Sequence, residues 1–261
     1  MKAAVGQFAV AATPDENLAI VRDLIARAAG CDLLVLPEGI LARDIADPAI
    51  VRRVAQPLNG PFVSALREAT QGTGLTVAFC MHEPGGPGGR VFNTNLALFD
   101  GQIVAAYRKL HLYDAFATQE SANVIPGADL PPVFDVAGTR VGLMTCYDVR
   151  FPEVARHLAL KGAEVLALPA AWLRGPAKER HWEVMVTARA LENTCWMVAS
   201  GECGPRNIGD SMVVDPLGVI VARAGEGPAL LTVELEHARL QEARARLPVL
   251  QNRRFAPPQL L

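Results

Sequence analysis

Three polar residues stand where an apolar run of the chain gives way to a turn: Glu38 after residues 33–37, Lys109 after 103–108 and Cys146 after 141–145. In open α/β sheets, functional sites gather at the carboxyl ends of strands. A carboxylate, an ammonium and a thiol at such a place make a coherent amide-cleaving set. Glu38 would take the thiol proton while the Cys146 sulfur attacks a carbonyl carbon. Lys109, helped by the backbone N–H of Tyr147, would face the charge that grows on the carbonyl oxygen. Glu38 would then give its proton to the departing amine, leaving a thioester, and take another from the water that hydrolyses it. Lys109 favours a thiolate and an ionised Glu38 opposes one. Proton transfer during attack is therefore expected, rather than a standing thiolate beside an idle carboxylate. Taken singly, each residue also has a plain reading: a small buried hydrophobe, a capping or solvated carboxylate, a solvated ammonium. Spacing alone does not decide between them.

The elements that would position these residues read as alternating strands and helices. Strands are expected at 3–10, 33–36, 75–81, 164–168 and 196–200, mostly as continuous apolar runs of the kind buried on both faces. Hairpins are expected around Asp100-Gly101 (95–99 with 103–107), around Gly138 (133–136 with 140–145, ending at Cys146) and around Pro216-Leu217-Gly218 (212–215 with 219–223). Thr13-Pro14-Asp15-Glu16 reads as a capping box opening a helix that ends at Gly30. Further helices are expected at 62–70, 152–161, 183–192 and 236–246, with a proline-bearing C-terminal tail at 247–261. Val5-Gly6-Gln7, a helix and the strand at 33–37 run parallel in order to Val141-Gly142-Leu143, a helix and the strand at 165–169. That order reads either as two β-α-β halves about a pseudo-twofold axis or as the ordinary repetition of α/β units. No linker interrupts the chain, so residues 1–261 are expected to form a single domain.

Composition excludes several classes. Of the 261 residues 51% are hydrophobic and 20% charged, with a formal net charge of -2, so the chain can bury a large core and carries no basic footprint for nucleic acid or an anionic membrane. Its longest apolar stretches, such as 165–173, are too short to span a bilayer, and the start reads as a strand rather than a signal peptide. Five irregularly spaced cysteines make neither a disulfide framework nor a zinc set. Cys31, Cys80, Cys195 and Cys203 read as core thiols, and a reducing compartment, the cytoplasm, is expected. Gly209-Asp210-Ser211-Met212-Val213 lacks the second glycine of a serine-hydrolase elbow, and residues 85–89 lack a phosphate-loop lysine and its helix. No metal site is expected: the five histidines include no His-x-x-x-His pair.

Three segments tip the reading toward chemistry. Leu36-Pro37-Glu38, Lys109-Leu110-His111-Leu112-Tyr113-Asp114 and Cys146-Tyr147-Asp148-Val149-Arg150-Phe151-Pro152-Glu153 resemble the three catalytic motifs of the nitrilase superfamily, in that family's order. The resemblance implies a Glu–Lys–Cys triad on a four-layer α-β-β-α sandwich, no metal or organic cofactor, and pairing through helices into homodimers or larger homo-oligomers. It also implies a role for Glu120, in Gln119-Glu120-Ser121, matching a second glutamate that orients the lysine and holds its charge.

The residues after Cys146 differ from the Trp-Glu of nitrile-hydrolysing members and are similar to the branch holding ω-amidases and deaminated-glutathione amidases. Leu41-Ala42-Arg43-Asp44, Gly142-Leu143-Met144-Thr145, Leu168-Pro169-Ala170-Ala171-Trp172 and the segment from Leu247 to Phe255 favour the second of these. The implied reaction repairs glutathione whose γ-glutamyl amino group has become a ketone, giving α-ketoglutarate and cysteinylglycine. The alternative is ω-amidase action on α-ketoglutaramate. Such a substrate is a small anionic amide, so cations should meet it. The candidates are Arg150, unless it pairs with Glu153, and Arg174, Lys178 and Arg180 in what reads as a loop after residue 169. Trp172 would wall the thioester or pack in the core; His181 and Trp182 read as packing and helix-start residues.

Overall fold

The computed structural model describes residues 1–44, 46–116 and 118–261. In chain order the elements are β1 (Lys2–Gln7), α1 (Pro14–Arg27), β2 (Leu33–Val35), α2 (Ile50–Val54), α3 (Pro61–Thr70), β3 (Thr76–Pro84), β4 (Val91–Phe99), β5 (Gln102–Arg108), and a short ribbon of β6 (Asp114–Ala115) and β7 (Thr118–Gln119). They continue with β8 (Val133–Val136), β9 (Thr139–Leu143), α4 (Pro152–Leu160), β10 (Val165–Ala170), α5 (Lys178–Asn193), β11 (Trp196–Gly201), β12 (Met212–Val214), β13 (Ile220–Arg223), β14 (Ala229–Glu234), α6 (His237–Arg246) and α7 (Val249–Asn252).

Two six-stranded sheets result, ordered β14-β1-β2-β3-β4-β5 and β13-β12-β11-β10-β9-β8. Each has three parallel strands at its centre (β1, β2, β3 and β9, β10, β11). Each is extended by two antiparallel strands on one side and one on the other. The same order and polarity in both sheets favour the two-half reading. Gly6 and Gly142 occupy matching places: a Cβ on Gly6 would stand 2.8 Å from Leu36, and one on Gly142 3.0 Å from Leu158.

The pleat sends alternate residues to different layers. Leu33 and Val35 meet Val165 and Ala167 between the sheets. Leu34 and Leu36 instead join the cluster under α1 and α3, and Leu166 and Leu168 the cluster under α4 and α5. Three cores stacked in this way make the four-layer α-β-β-α sandwich, a single domain. Among the described residues no helix is long and apolar enough to cross a membrane.

Several expectations are corrected. Thr13 makes no backbone cap; its hydroxyl donates to the Glu16 carboxylate (2.5 Å), so the two side chains satisfy each other. The strand expected to end at Cys146 stops at Leu143. The supposed loop holding Lys178 and Arg180 is already the first turn of α5, as the sixteen-residue helix begins five residues before the expected start. Strand β14 and helix α2 escaped the sequence reading: β14 is half exposed along an edge, with no buried run to announce it.

Candidate active site

Glu38 follows β2, where Leu36 N–H donates to Ala78 and, past Gly39 in the left-handed region, Ile40 N–H donates to Cys80. The chain thus hugs β3 and leaves the Glu38 side chain buried. One carboxylate oxygen accepts from Lys109 Nζ (2.9 Å) and Asn93 Nδ2 (2.8 Å), the other from the backbone N–H of Ala171 (3.0 Å). Lys109 leaves β5 with its N–H donating to Asn93 O, and its carbonyl accepts from Gly127. Only 2% exposed, its ammonium also donates to both oxygens of Glu120 (3.1 and 2.8 Å). Glu120 is fixed in turn by the Tyr113 N–H (2.7 Å).

Cys146 opens a short 3-10 turn, Cys146–Arg150, at φ +43, an uncommon conformation for a residue with a side chain. Asp148, fully buried, holds that turn: it accepts from Thr145 N–H (3.0 Å), Tyr107 hydroxyl (2.9 Å) and His111 N–H (3.3 Å), with His111 Nδ1 at 2.8 Å. One carboxylate therefore ties the cysteine-bearing turn to the lysine-bearing segment. The Cys146 sulfur lies against the Glu38 carboxylate and the Ala171 N–H. Tyr147 N–H belongs to the first residues of the turn, where backbone donors lack partners within the helix.

The charges order themselves. Burial works to raise the Glu38 carboxyl, but Lys109 and then Arg43 outweigh it and hold the group well below the usual carboxylate range. Burial works to lower Lys109, and Glu120 and Glu38 together raise it far above its ordinary value. Burial and the Glu38 charge push the Cys146 thiol up. The resting set is therefore carboxylate, ammonium and neutral thiol. His82, against the same network, is pushed down to about 3 by burial and then Arg43, and stays neutral. Cys80, 3.7 Å from the Thr145 hydroxyl, is a second nearby thiol, kept protonated by burial and then by Glu38.

The remaining candidates divide. Trp172 is buried, its indole N–H donates to Lys178 O (2.9 Å), and it packs on Trp182 at 5.3 Å. The Arg150 guanidinium stands 4.9 Å from the Trp172 ring and the Lys178 ammonium 4.6 Å. Arg150 turns to His181 (3.4 Å), and no ion pair joins it to Glu153 among the described residues. Arg174 is drawn elsewhere, to Glu226 (3.2 Å) and Glu179 (4.0 Å), and Arg180 pairs with Glu183 (3.1 Å).

Sequence reasoning missed Asn93, Arg43 and the bridging role of Asp148. Asn93-Thr94-Asn95, three polar residues within a strand otherwise apolar, was the available signal; all three are buried. Arg43 had none. It reaches the Glu38 carbonyl (3.3 Å) and carboxylate (3.9 Å) and pairs through Nε with buried Glu202 (2.9 Å), whose carboxyl burial raises to about 7.

The carbon-nitrogen hydrolase family model matches residues 2–245. Deaminated glutathione amidase of Escherichia coli O157:H7 is 52% identical over 263 residues, covering all of both chains. The human deaminated glutathione amidase is 37% identical over 94% of this chain and 80% of its own. Among solved structures, the amidase of Nesterenkonia sp. AN1, with acrylamide added to its active-site cysteine, superposes with a TM-score of 0.81 at 30% identity, covering 95% of this chain and 98% of that one. The Caenorhabditis elegans NitFhit protein superposes at 0.90 with 29% identity, over 97% of this chain and 65% of that one.

Proposed function

The chain belongs to the carbon–nitrogen hydrolase family and is an amidase acting on bonds other than peptide bonds; on that premise we propose that Cys146, Glu38 and Lys109 hydrolyse deaminated glutathione. The observation that carries the site reading is the Lys109 ammonium held between two carboxylates, with Glu38 also against the Cys146 sulfur. The substrate reading rests on the likeness that runs the whole length of the bacterial relative.

In the first half-reaction the Cys146 sulfur attacks the amide carbon and its proton passes to Glu38. The oxygen charge meets Lys109 and the Tyr147 N–H. Carbon–nitrogen cleavage releases cysteinylglycine as the Glu38 proton moves to its amine, leaving α-ketoglutarate as a thioester. Water then gives a proton to Glu38 and attacks the thioester carbon; the sulfur leaves and recovers that proton. Glu120 acts behind Lys109, balancing its charge so that the ammonium stays aimed at the oxygen.

The reading extends to metabolite repair in the cytoplasm, supported by five buried free cysteines, which suit a reducing compartment. It extends also to a homodimer or larger assembly, supported by exposed Leu191 on α5 and exposed Phe255 in the tail. Initial rates on deaminated glutathione and α-ketoglutaramate, with Cys146→Ala as blank, test the substrate. Preference for the first sustains repair, preference for the second moves the activity to ω-amidase, and turnover of neither removes both substrates.

A further inference from the structure

Lys178 is placed against the rules that place lysines. It is the first residue of the sixteen-residue helix α5, where the helix dipole favours anions. It is 3% exposed, and among the described residues no carboxylate pairs with it. Its ammonium instead donates to the Tyr113 hydroxyl (2.9 Å) and lies 4.7 Å from that ring, 5.2 Å from Phe116 and 4.6 Å from Trp172. Arg150, also without a carboxylate among the described residues, stands over the same Trp172 ring at 4.9 Å. The one acidic residue in the first turn of α5, Glu179, faces Arg174 instead. Burial and then Arg150 pull the Lys178 ammonium down, and charge on the Cys146 sulfur would pull it up, so the cation stands within reach of the nucleophile's charge.

A buried cation beside a second cation, at the positive end of a helix, costs stability unless an anion completes it. The aromatic walls supply some cation–π attraction but no counter-charge. We propose that Lys178 and Arg150, over Trp172 and Tyr113, form the anchor for a carboxylate of the substrate, with Lys178 setting the preference for anionic amides over neutral ones. The anchor rests on the amidase reading for its place in the reaction. Arg174, satisfied by two carboxylates, takes no part.

Alkylation tests this without assuming the physiological substrate. Second-order rates for iodoacetate and iodoacetamide are measured on the full chain, with modification of Cys146 read by peptide mass spectrometry. The ratio of iodoacetate to iodoacetamide is expected to fall about tenfold in Lys178→Gln. Lys178→Arg, which keeps the charge, should recover most of it and separates lost charge from lost packing. A ratio in Lys178→Gln within about twofold of the parent's overturns the anchor. Kinetics then distinguish the two carboxylates. α-Ketoglutaramate bears one only on the acyl half, and N-butyryl-cysteinylglycine only on the leaving half. The substrate whose kcat/KM falls more in Lys178→Gln names the half that docks, and no fall on either overturns the proposal. A changed alkylation ratio with no turnover of deaminated glutathione would keep the anchor and sink that substrate.

Discussion

The two sheets share strand order and polarity, yet the turns at their carboxyl ends differ in how they treat charge. The turns of the first sheet carry Glu38, Arg43, Lys109 and Glu120, and every charge there meets an opposite one. Beyond the strands of the second lie Cys146, Arg150, Trp172 and, in the first turn of α5, Lys178, where two cations stand over the Trp172 ring without an acid among the described residues. A closed charge network fixes geometry before substrate arrives; an open one leaves work for a ligand to finish. The difference teaches that the acid–base apparatus is built to be rigid and the nucleophile's side to be completed.

Variants on the two sides should therefore fail in different ways. Cys146→Ala should lower kcat by about four orders of magnitude or more with little change in melting temperature, because a buried thiol gives way to a small apolar side chain. Retained turnover would refute the mechanism. Lys109→Met should abolish turnover and also cost about 3–5 kcal/mol, since Glu38 and Glu120 would be left buried without their cation. Urea denaturation with parallel activity assays separates the two effects. A Lys109→Met protein as stable as its parent would break the contrast between closed and open networks.

How much of this was legible follows the same divide. Glu38, Lys109 and Cys146 each follow an apolar run, which made them candidates, but only the resemblance of their segments to the nitrilase motifs singled them out. The central strands and the Asp100-Gly101 hairpin were readable because apolar runs and turn chemistry are local signals. Arg43 and Asn93 were not, because their meaning lies in partners from other elements. The second glutamate was reached only through resemblance, since nothing around Glu120 marks it. Lys178 was read as a loop cation because the residue that caps α5, Ala177, is left-handed and carries no capping side chain to foretell the helix.

Asp148 is where the two sides are tied together, so its loss should be intermediate. Asp148→Asn keeps the shape but removes charge from contacts to Thr145, Tyr107 and His111. A loss of about 1–3 kcal/mol is expected, with kcat falling more than KM rises as the cysteine turn slips against Lys109. Equal changes in both halves of kcat/KM would argue against a role in alignment.

The smallest effect concerns how far the closed network extends. Glu202 is raised to about 7 by burial, with Arg43 opposing, so the folded chain holds its proton more tightly than the unfolded chain does. The stabilisation is then complete below the ordinary glutamate value and is lost as pH rises through about 7. Glu38 runs the other way, with its contribution present above the ordinary value and lost only in strong acid. The two windows do not overlap. Between pH 5 and pH 7.5, roughly, the parent's stability should decline more steeply than that of Glu202→Gln, by about 1–3 kcal/mol across the window. Matching slopes would remove Glu202 from the network and leave Arg43 serving Glu38 alone. A steeper slope in the variant would reverse the sign and place the ionised carboxylate, held by Arg43 and Asn207, as the favoured native form.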